Sequence, residues 1–363
     1  MLILAGATLP DMTTTSGAGV PRTARHAPLT SAEIAQLAGV SVPTVSKVVN
    51  GRSEVAAETR ALVEKVIREH GYRRQKKPAT RAPLIELVFH ELESAYAMEI
   101  IKGVERVASQ HHLGVVLAES QGRQTPGRGW IEGVLARRAT GVIAVFSHLS
   151  GSQLEQLSSR DIPLVLLDPT GEPRHRFPSV GATNWSGGLA ATRHLLELGH
   201  RRIAAITGPE EVLCSRARLD GYRAALDAAG VPVDPDLIRI GDFQVEDGQR
   251  LTAELLRLSD PPTAVFAFND GQAQGVYHAA HAAGVRIPQD LSVVGFDDLP
   301  HAKWMLPPLT TVRQPLIEMG AAATRMVLDL AAEEAQPGNR MELATELVVR
   351  ASTAPPPGAP ARQ

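Results

Sequence analysis

Apolar residues recur at helical spacing in three short runs near the start of the chain, and from Leu84 onward short unbroken apolar runs alternate with longer amphipathic ones. In the first region Ile34, Leu37 and Ala38 form one stripe, Val45, Val48 and Val49 a second, and Leu62, Val63, Val66 and Ile67 a third. Thr30 followed three residues later by Glu33 has capping-box spacing, in which each side chain satisfies a backbone donor, so a helix is predicted to start near Ser31. Gly39 supplies a tight turn, Ser41 caps a second helix, and Pro43 is tolerated in that helix's first turn. The third helix runs from Ala57 to His70 and stops at Gly71. A two-helix hairpin of this kind is as often a packing unit as a site. The third amphipathic segment closes it into a small module and favours a helix-turn-helix. Its recognition helix, from Val42 to about Val49, turns Val42, Pro43, Thr44, Ser46 and Lys47 outward.

The body reads as parallel β/α construction. Strands are predicted at Leu84 to Phe89, Val115 to Ala118, Val142 to Phe146 and Leu164 to Leu167, with helices from about Ala97 to His111, Gly129 to Arg138 and Ser150 to Ser159. A second set begins with helix Trp185 to Leu198 and strand Ile203 to Thr207, and ends with helix Gly271 to Ala283 and strand Ser292 to Phe296. The remaining helix, Leu316 to about Glu334, and strand, Glu342 to Val349, are too few for a third lobe and should return to the first two. The fold class is therefore α/β: a three-helix head plus two doubly wound parallel lobes joined by three crossings, the periplasmic-binding-protein architecture. Lobe 1 is expected over about 84–182 and 314–337 and lobe 2 over about 184–312 and 338–352, with crossings near Ala182 to Asn184, Val312 to Gln314 and Pro337 to Gly338. Ligands of open α/β sheets bind beyond the carboxyl ends of strands, so the cleft between the lobes is the expected site.

Charge sharpens the picture of the head. Between Arg22 and Lys77 there are eleven Lys/Arg against five Glu, a local net of +6 in a chain whose overall charge is −2, the segregation that phosphate binding requires. A content of 44% hydrophobic and 21% charged residues over 363 positions describes a soluble globular protein with room for a head and two lobes. The single cysteine, Cys214, excludes an intramolecular disulfide and multi-Cys zinc patterns and fits a reducing compartment. The opening MLILAGATLP is too short for a membrane span and poor as a signal peptide, so the cytoplasm is the default; Met12 is an alternative start. Residues 1–28 and 353–363 read as flexible tails and residues 74–83 as a basic, proline-bearing linker.

Ser41-Val-Pro-Thr44-Val45-Ser46-Lys47-Val-Val-Asn50-Gly51, then Glu58-Thr-Arg60 and Gly71-Tyr72-Arg73, resembles the N-terminal signature of the lactose-repressor (LacI/GalR) family of bacterial transcription regulators. The resemblance extends from Leu29 to about Ser352. It implies base reading by Val42, Pro43 and Lys47, with Thr30, Ser41, Thr44, Ser46, Asn50, Arg73, Arg74 and Arg81 completing the candidate DNA-binding set. The family's usual Ser at the third-helix cap is Ala56 here, which should cost about 1 kcal/mol. In the body, Ser215-Arg-Ala-Arg218-Leu-Asp-Gly221-Tyr, Phe268-Asn269-Asp270, Val294-Gly-Phe-Asp297-Asp298 and Pro308-Leu-Thr-Thr-Val-Arg-Gln314 are similar to the family's effector-domain motifs. The resemblance assigns effector contacts to Arg218, Asn269, Asp297, Asp168 and Gln314.

Position beyond predicted strand ends independently places Asp168, Asn269, Asp270, Asp297 and Asp298 at the cleft, with Arg216 and Arg218 at the start of a helix. Carboxylates that accept from neighbouring hydroxyls, and arginines that donate in a fork, suit a polyhydroxylated ligand, and Tyr96, Phe146, Trp185 and Trp304 are candidates to stack on sugar faces. Asp270 and Asp298 read rather as structural caps, since aspartates after strands often cap the next helix. Enzymatic readings fare poorly: His90-Glu91 lacks the second histidine of a zinc protease, and neither a Gly-x-x-x-x-Gly-Lys loop nor a Gly-x-Ser-x-Gly elbow occurs. No cofactor or metal is expected. The expected partners are double-stranded operator DNA, a small carbohydrate effector and a second copy of the chain; the alternatives are a DNA-free sugar-binding protein and a regulator controlled by a partner protein. Related repressors carry a hinge helix with a wedging leucine, whereas the segment from Arg74 to Pro83 is about four residues shorter and contains no leucine, so a flexible basic strap is predicted there.

Overall fold

The structure is a computed structural model and describes residues 29–49, 55–70, 81–120, 125–146, 149–169, 177–333 and 338–358. The chain divides into two compact units at residues 79 and 80.

The first unit holds α1 (Ser31–Leu37), α2 (Val42–Val49) and α3 (Ala57–His70). Thr30 caps α1 in the predicted capping box: its N–H donates to Glu33 Oε2 at 2.7 Å, and Glu33 N–H donates to its hydroxyl at 3.3 Å. Gly39 turns the chain at φ +63°, a conformation that a side chain would oppose. Ile34, Ala35, Ala38, Val45, Val48, Val63 and Val66 form the core. Two expected core positions face outward instead: Leu37 is 56% and Leu62 45% exposed.

The second unit carries two sheets. In the first, β1 (Ala82–Phe89), β2 (Gly114–Glu119), β3 (Ala139–Val145), β4 (Leu164–Leu167), β5 (Ser179–Ala182) and β11 (Arg340–Leu343) run parallel in the order β11-β5-β4-β3-β1-β2. The helices of this lobe are α4 (Ala95–Gln110), α5 (Arg128–Arg137), α6 (Gly151–Ser159) and α11 (Leu316–Ala331). The second sheet is ordered β12-β10-β9-β8-β6-β7, from β6 (Ile203–Thr207), β7 (Ile238–Ile240), β8 (Ala264–Ala267), β9 (Ser292–Asp297), β10 (Thr310–Arg313) and β12 (Glu346–Val348). It is covered by α7 (Asn184–Glu197), α8 (Leu213–Ala228), α9 (Val245–Leu255) and α10 (Asp270–Ala282), and only β12, paired with β10, is antiparallel among its described strands. Strands such as Val142 to Val145 are buried along their whole length, as expected of parallel strands covered on both faces.

The third crossing differs from the sequence expectation. The stretch read as one strand, Glu342 to Val349, breaks at Ala344-Thr345 into β11 in the first sheet and β12 in the second. Thr345 N–H donates to the Thr183 hydroxyl at 2.9 Å and the Thr345 hydroxyl to Thr183 O at 3.2 Å, so the first and third crossings are tied to one another. The second crossing is Gln314-Pro315, between β10 and α11. β5 has no counterpart among the predicted strands, because its four residues, Ser-Val-Gly-Ala, carry too little periodicity.

Candidate functional site

In the head, Ser41 Oγ accepts the Thr44 N–H at 3.3 Å and lies 2.8 Å from the Thr44 hydroxyl. Val42, Pro43, Ser46 and Lys47 are exposed along α2, while Val45 and Val48 face the core. The helices themselves are charge-balanced: Lys47, Arg60, Lys65 and Arg68 against Glu33, Glu58, Glu64 and Glu69. The whole +6 excess therefore resides in the flanks, on Arg22, Arg25, Arg52, Arg73, Arg74, Lys76 and Lys77 less Glu54. Asn50, Arg73, Arg74 and the linker through Thr80 lie outside the described residues. Arg81 does not fit the predicted strap. Its guanidinium donates to Ala331 O at 2.7 Å and to Asp161 O at 2.9 Å, which commits it to the first lobe, and the next residue already begins β1.

Between the lobes lies a cleft of about 360 Å³. Tyr96, Phe146, Asp168, Arg218, Asn269, Asp297 and Gln314 all line it. Trp185, Arg216 and Trp304 do not. Arg216 is exposed two residues before Arg218, on the far side of α8; Trp185 is exposed at the start of α7, whose inward face is Gly187 and Gly188; and Trp304 is 76% exposed. Asp270 and Asp298 are structural: Asp270 accepts the Leu299 N–H at 2.7 Å and the Thr311 hydroxyl at 2.6 Å, and Asp298 pairs with Arg313 at 2.8 Å and with Arg350.

Buried Arg218 organises the floor. Its Nε donates to Asn184 Oδ1 at 2.8 Å, Nη1 donates to Phe268 O, Nη2 stands 3.9 Å from Asp297 Oδ1, and the guanidinium carbon lies 3.7 Å from the centre of the Phe296 ring. Asp297 leaves β9 with φ +116° and accepts from Gln314 Nε2 at 2.7 Å, which orients the amide so that Gln314 Oε1, buried and without a partner, is available as an acceptor. On the opposite lobe Asp168, at φ +49°, accepts from the Tyr96 hydroxyl at 3.2 Å. Burial pushes the Asp297 carboxyl up to about 7 and raises that of Asp168, in both cases against the pull of Arg218. The Cys214 thiol, raised to about 12 chiefly by burial, is neutral. Asn269 caps α10 by accepting from Gln272 N–H at 2.7 Å, and donates to Phe243 O at 2.9 Å.

The rim was not read from the sequence. His90, Glu91, Glu93, Asp242, Phe243, Gln244 and His301 line the cleft, and Gln244 Nε2 donates across it to Glu91 Oε2 at 3.0 Å. Phe146 and Phe243 meet edge to face with centroids 5.9 Å apart. The strand-end criterion that found Asp168 would have found His90 after β1 and Asp242-Phe243 after β7. Among the described residues, no group of three or more His, Cys, Asp or Glu is placed to hold a metal ion, and no helix is long and apolar enough to cross a membrane.

Comparison with known proteins returns a family model in each unit. Residues 30–75 match the model described as bacterial regulatory proteins, lacI family, and residues 192–353 match a periplasmic binding protein-like domain. The chain is 33% identical over 332 residues to the HTH-type transcriptional repressor CytR of Escherichia coli K12, covering 89% of this chain and 96% of that protein. A solved transcriptional regulator, CelR in complex with cellobiose, is 33% identical with a TM-score of 0.69, over 89% of this chain and 99% of that one. The lac repressor dimer bound to operator and the anti-inducer ONPF is 29% identical with a TM-score of 0.64, over 90% and 100%.

Proposed function

This chain belongs to the lacI family of bacterial regulatory proteins, DNA-binding transcriptional regulators, and on that premise we propose that it represses carbohydrate uptake and catabolism genes and is released by a small unphosphorylated sugar. The lining of the cleft carries the reading. Asp168, Asp297 and Gln314 Oε1 present acceptors, whereas Arg218 turns one donor each toward Asn184, Phe268 and Asp297, and His301 Nε2, also buried without a partner, can serve in either sense. Glu91, Glu93 and Asp242 add negative charge. A ligand for this lining is rich in donors and carries no negative charge, which describes a free polyol and not a sugar phosphate. The cellobiose held by CelR is of that class.

Two heads on a near-palindromic operator supply the base readout that one short helix lacks, so the acting species is a homodimer. Met98 on α4 and Leu117 on the edge strand β2, 54% and 46% exposed, offer apolar area for that contact. Binding to operator DNA places the protein in the cytoplasm, and the cleft binds without turnover. Calorimetry with neutral mono- and disaccharides and their phosphates tests the reading: a neutral sugar should bind at least tenfold tighter than its phosphate and be recovered unchanged by chromatography. Preference for a phosphorylated sugar would overturn the ligand class, and recovery of a cleaved product would overturn the binding-only role.

A further inference from the structure

The first turn of α2 offers a duplex little hydrogen-bonding chemistry. Val42 is 45% exposed and Pro43 is exposed beside it. Neither side chain carries a donor or an acceptor. The hydroxyls of Ser41 and Thr44, which flank them, hydrogen-bond to one another at 2.8 Å. Val45 and Val48 anchor the helix against Ile34, Val63 and Val66, which fixes the outward face that Val42 and Pro43 occupy. In a helix-turn-helix the N-terminal residues of the second helix meet base edges in the major groove. Among the groups displayed there, donors and acceptors belong to every base pair, but the C5-methyl of thymine is the one alkyl group that projects into the groove. A carbon side chain placed against an amino group or a carbonyl would strip its water and return no hydrogen bond.

We propose that Val42 and Pro43 read thymine through its methyl group, so that each operator half-site holds at least one thymine recognised by apolar contact. The proposal rests on the DNA-binding reading of the three-helix head. Replacing dT by dU deletes the methyl and leaves the pairing face unchanged, which isolates the contact. The full-length chain is first allowed to enrich duplexes from a random-sequence pool, and each dT of an enriched duplex is then exchanged for dU. At one position per half-site the exchange should weaken binding about fourfold, and about fifteenfold when made in both half-sites, the worth of one buried methyl in each. In Val42→Ala or in Pro43→Ala, with folding verified by thermal melting, the same exchange should cost less than twofold. The proposal is overturned if every uracil duplex binds within twofold of its parent, or if the penalty persists undiminished in both variants, which would assign the methyl to another residue. If no duplex is enriched, the DNA-binding reading fails and takes the proposal with it; enrichment without a uracil effect removes the proposal alone.

Discussion

Asp297 is the residue through which pH should enter ligand recognition. Burial holds its carboxyl at about 7, and each hydroxyl a ligand donates to it favours the ionised form. Effector binding is therefore predicted to release protons, with affinity rising as pH climbs toward 7 and level above it. Calorimetry at about pH 6.5 in buffers of different ionisation enthalpy measures this directly, and a buffer-independent heat would contradict it. The same raised pKa acts on stability. The unfolded chain gives up this proton near the ordinary carboxylate range, so the contribution present below that range is lost as pH rises toward 7. Asp297→Asn should flatten that part of the stability profile; an unchanged slope in urea titrations would assign it to Asp168 or Asp270, which burial also raises. Strand ends point to Asp168, Asn269 and Asp297, and family motifs to Arg218 and Gln314, and all five line the cleft. The sequence misled where helical phase decides: Arg216 and Arg218 are two residues apart and so point to different sides of α8.

Helix pairs in close contact hold these residues in place. A Cβ on Gly188 of α7 would overlap the Arg218 carbonyl of α8, and one on Gly221 of α8 would overlap the Trp185 carbonyl of α7. In the first lobe a Cβ on Gly103 of α4 would overlap the Ile317 carbonyl, and one on Gly320 of α11 would lie 2.5 Å from Ile100 O. Backbone against backbone leaves no rotamer to give way. Gly188→Ala and Gly103→Ala should each destabilise the fold by about 1–3 kcal/mol or more. They should differ in degree, since the α7–α8 pair carries Arg218, which organises the floor, whereas the α4–α11 pair meets the cleft through Tyr96 at the first turn of α4, far along the helix from Gly103: Gly188→Ala is expected to weaken sugar binding more than Gly103→Ala at temperatures where both remain folded. Equal ligand affinity in both variants, measured well below their melting temperatures, would sever this link between packing and site. Alternation of apolar runs made most elements legible beforehand. The split between β11 and β12 was not, because it depends on Thr345 bonding Thr183, a partner 162 positions away.

Across the whole molecule, charge and ligand chemistry are assigned to different regions. The positions proposed to read bases lie on the charge-balanced helices, whereas the +6 excess lies on the segments flanking them. Operator affinity is accordingly expected to fall steeply with salt, with a slope of log K against log salt steeper than about −5 for a dimer; a slope shallower than about −2 would mean that the flanks stay off the phosphates. The predicted strap loses Arg81, which is held on the first lobe, and its remaining basic residues fall outside the described ones. A sugar closed into the cleft is proposed to lower the affinity of the heads for DNA, and linkage then requires DNA to lower affinity for the sugar by the same factor. Fluorescence anisotropy of an enriched duplex, titrated with the full-length chain with and without a sugar that calorimetry shows to bind, tests it most directly. At least a tenfold loss of duplex affinity with sugar is expected in the wild-type chain, and no change in Asp297→Asn, whose sugar-free duplex affinity should remain normal. Sugar bound in the cleft at saturation with duplex affinity unaltered would contradict that coupling.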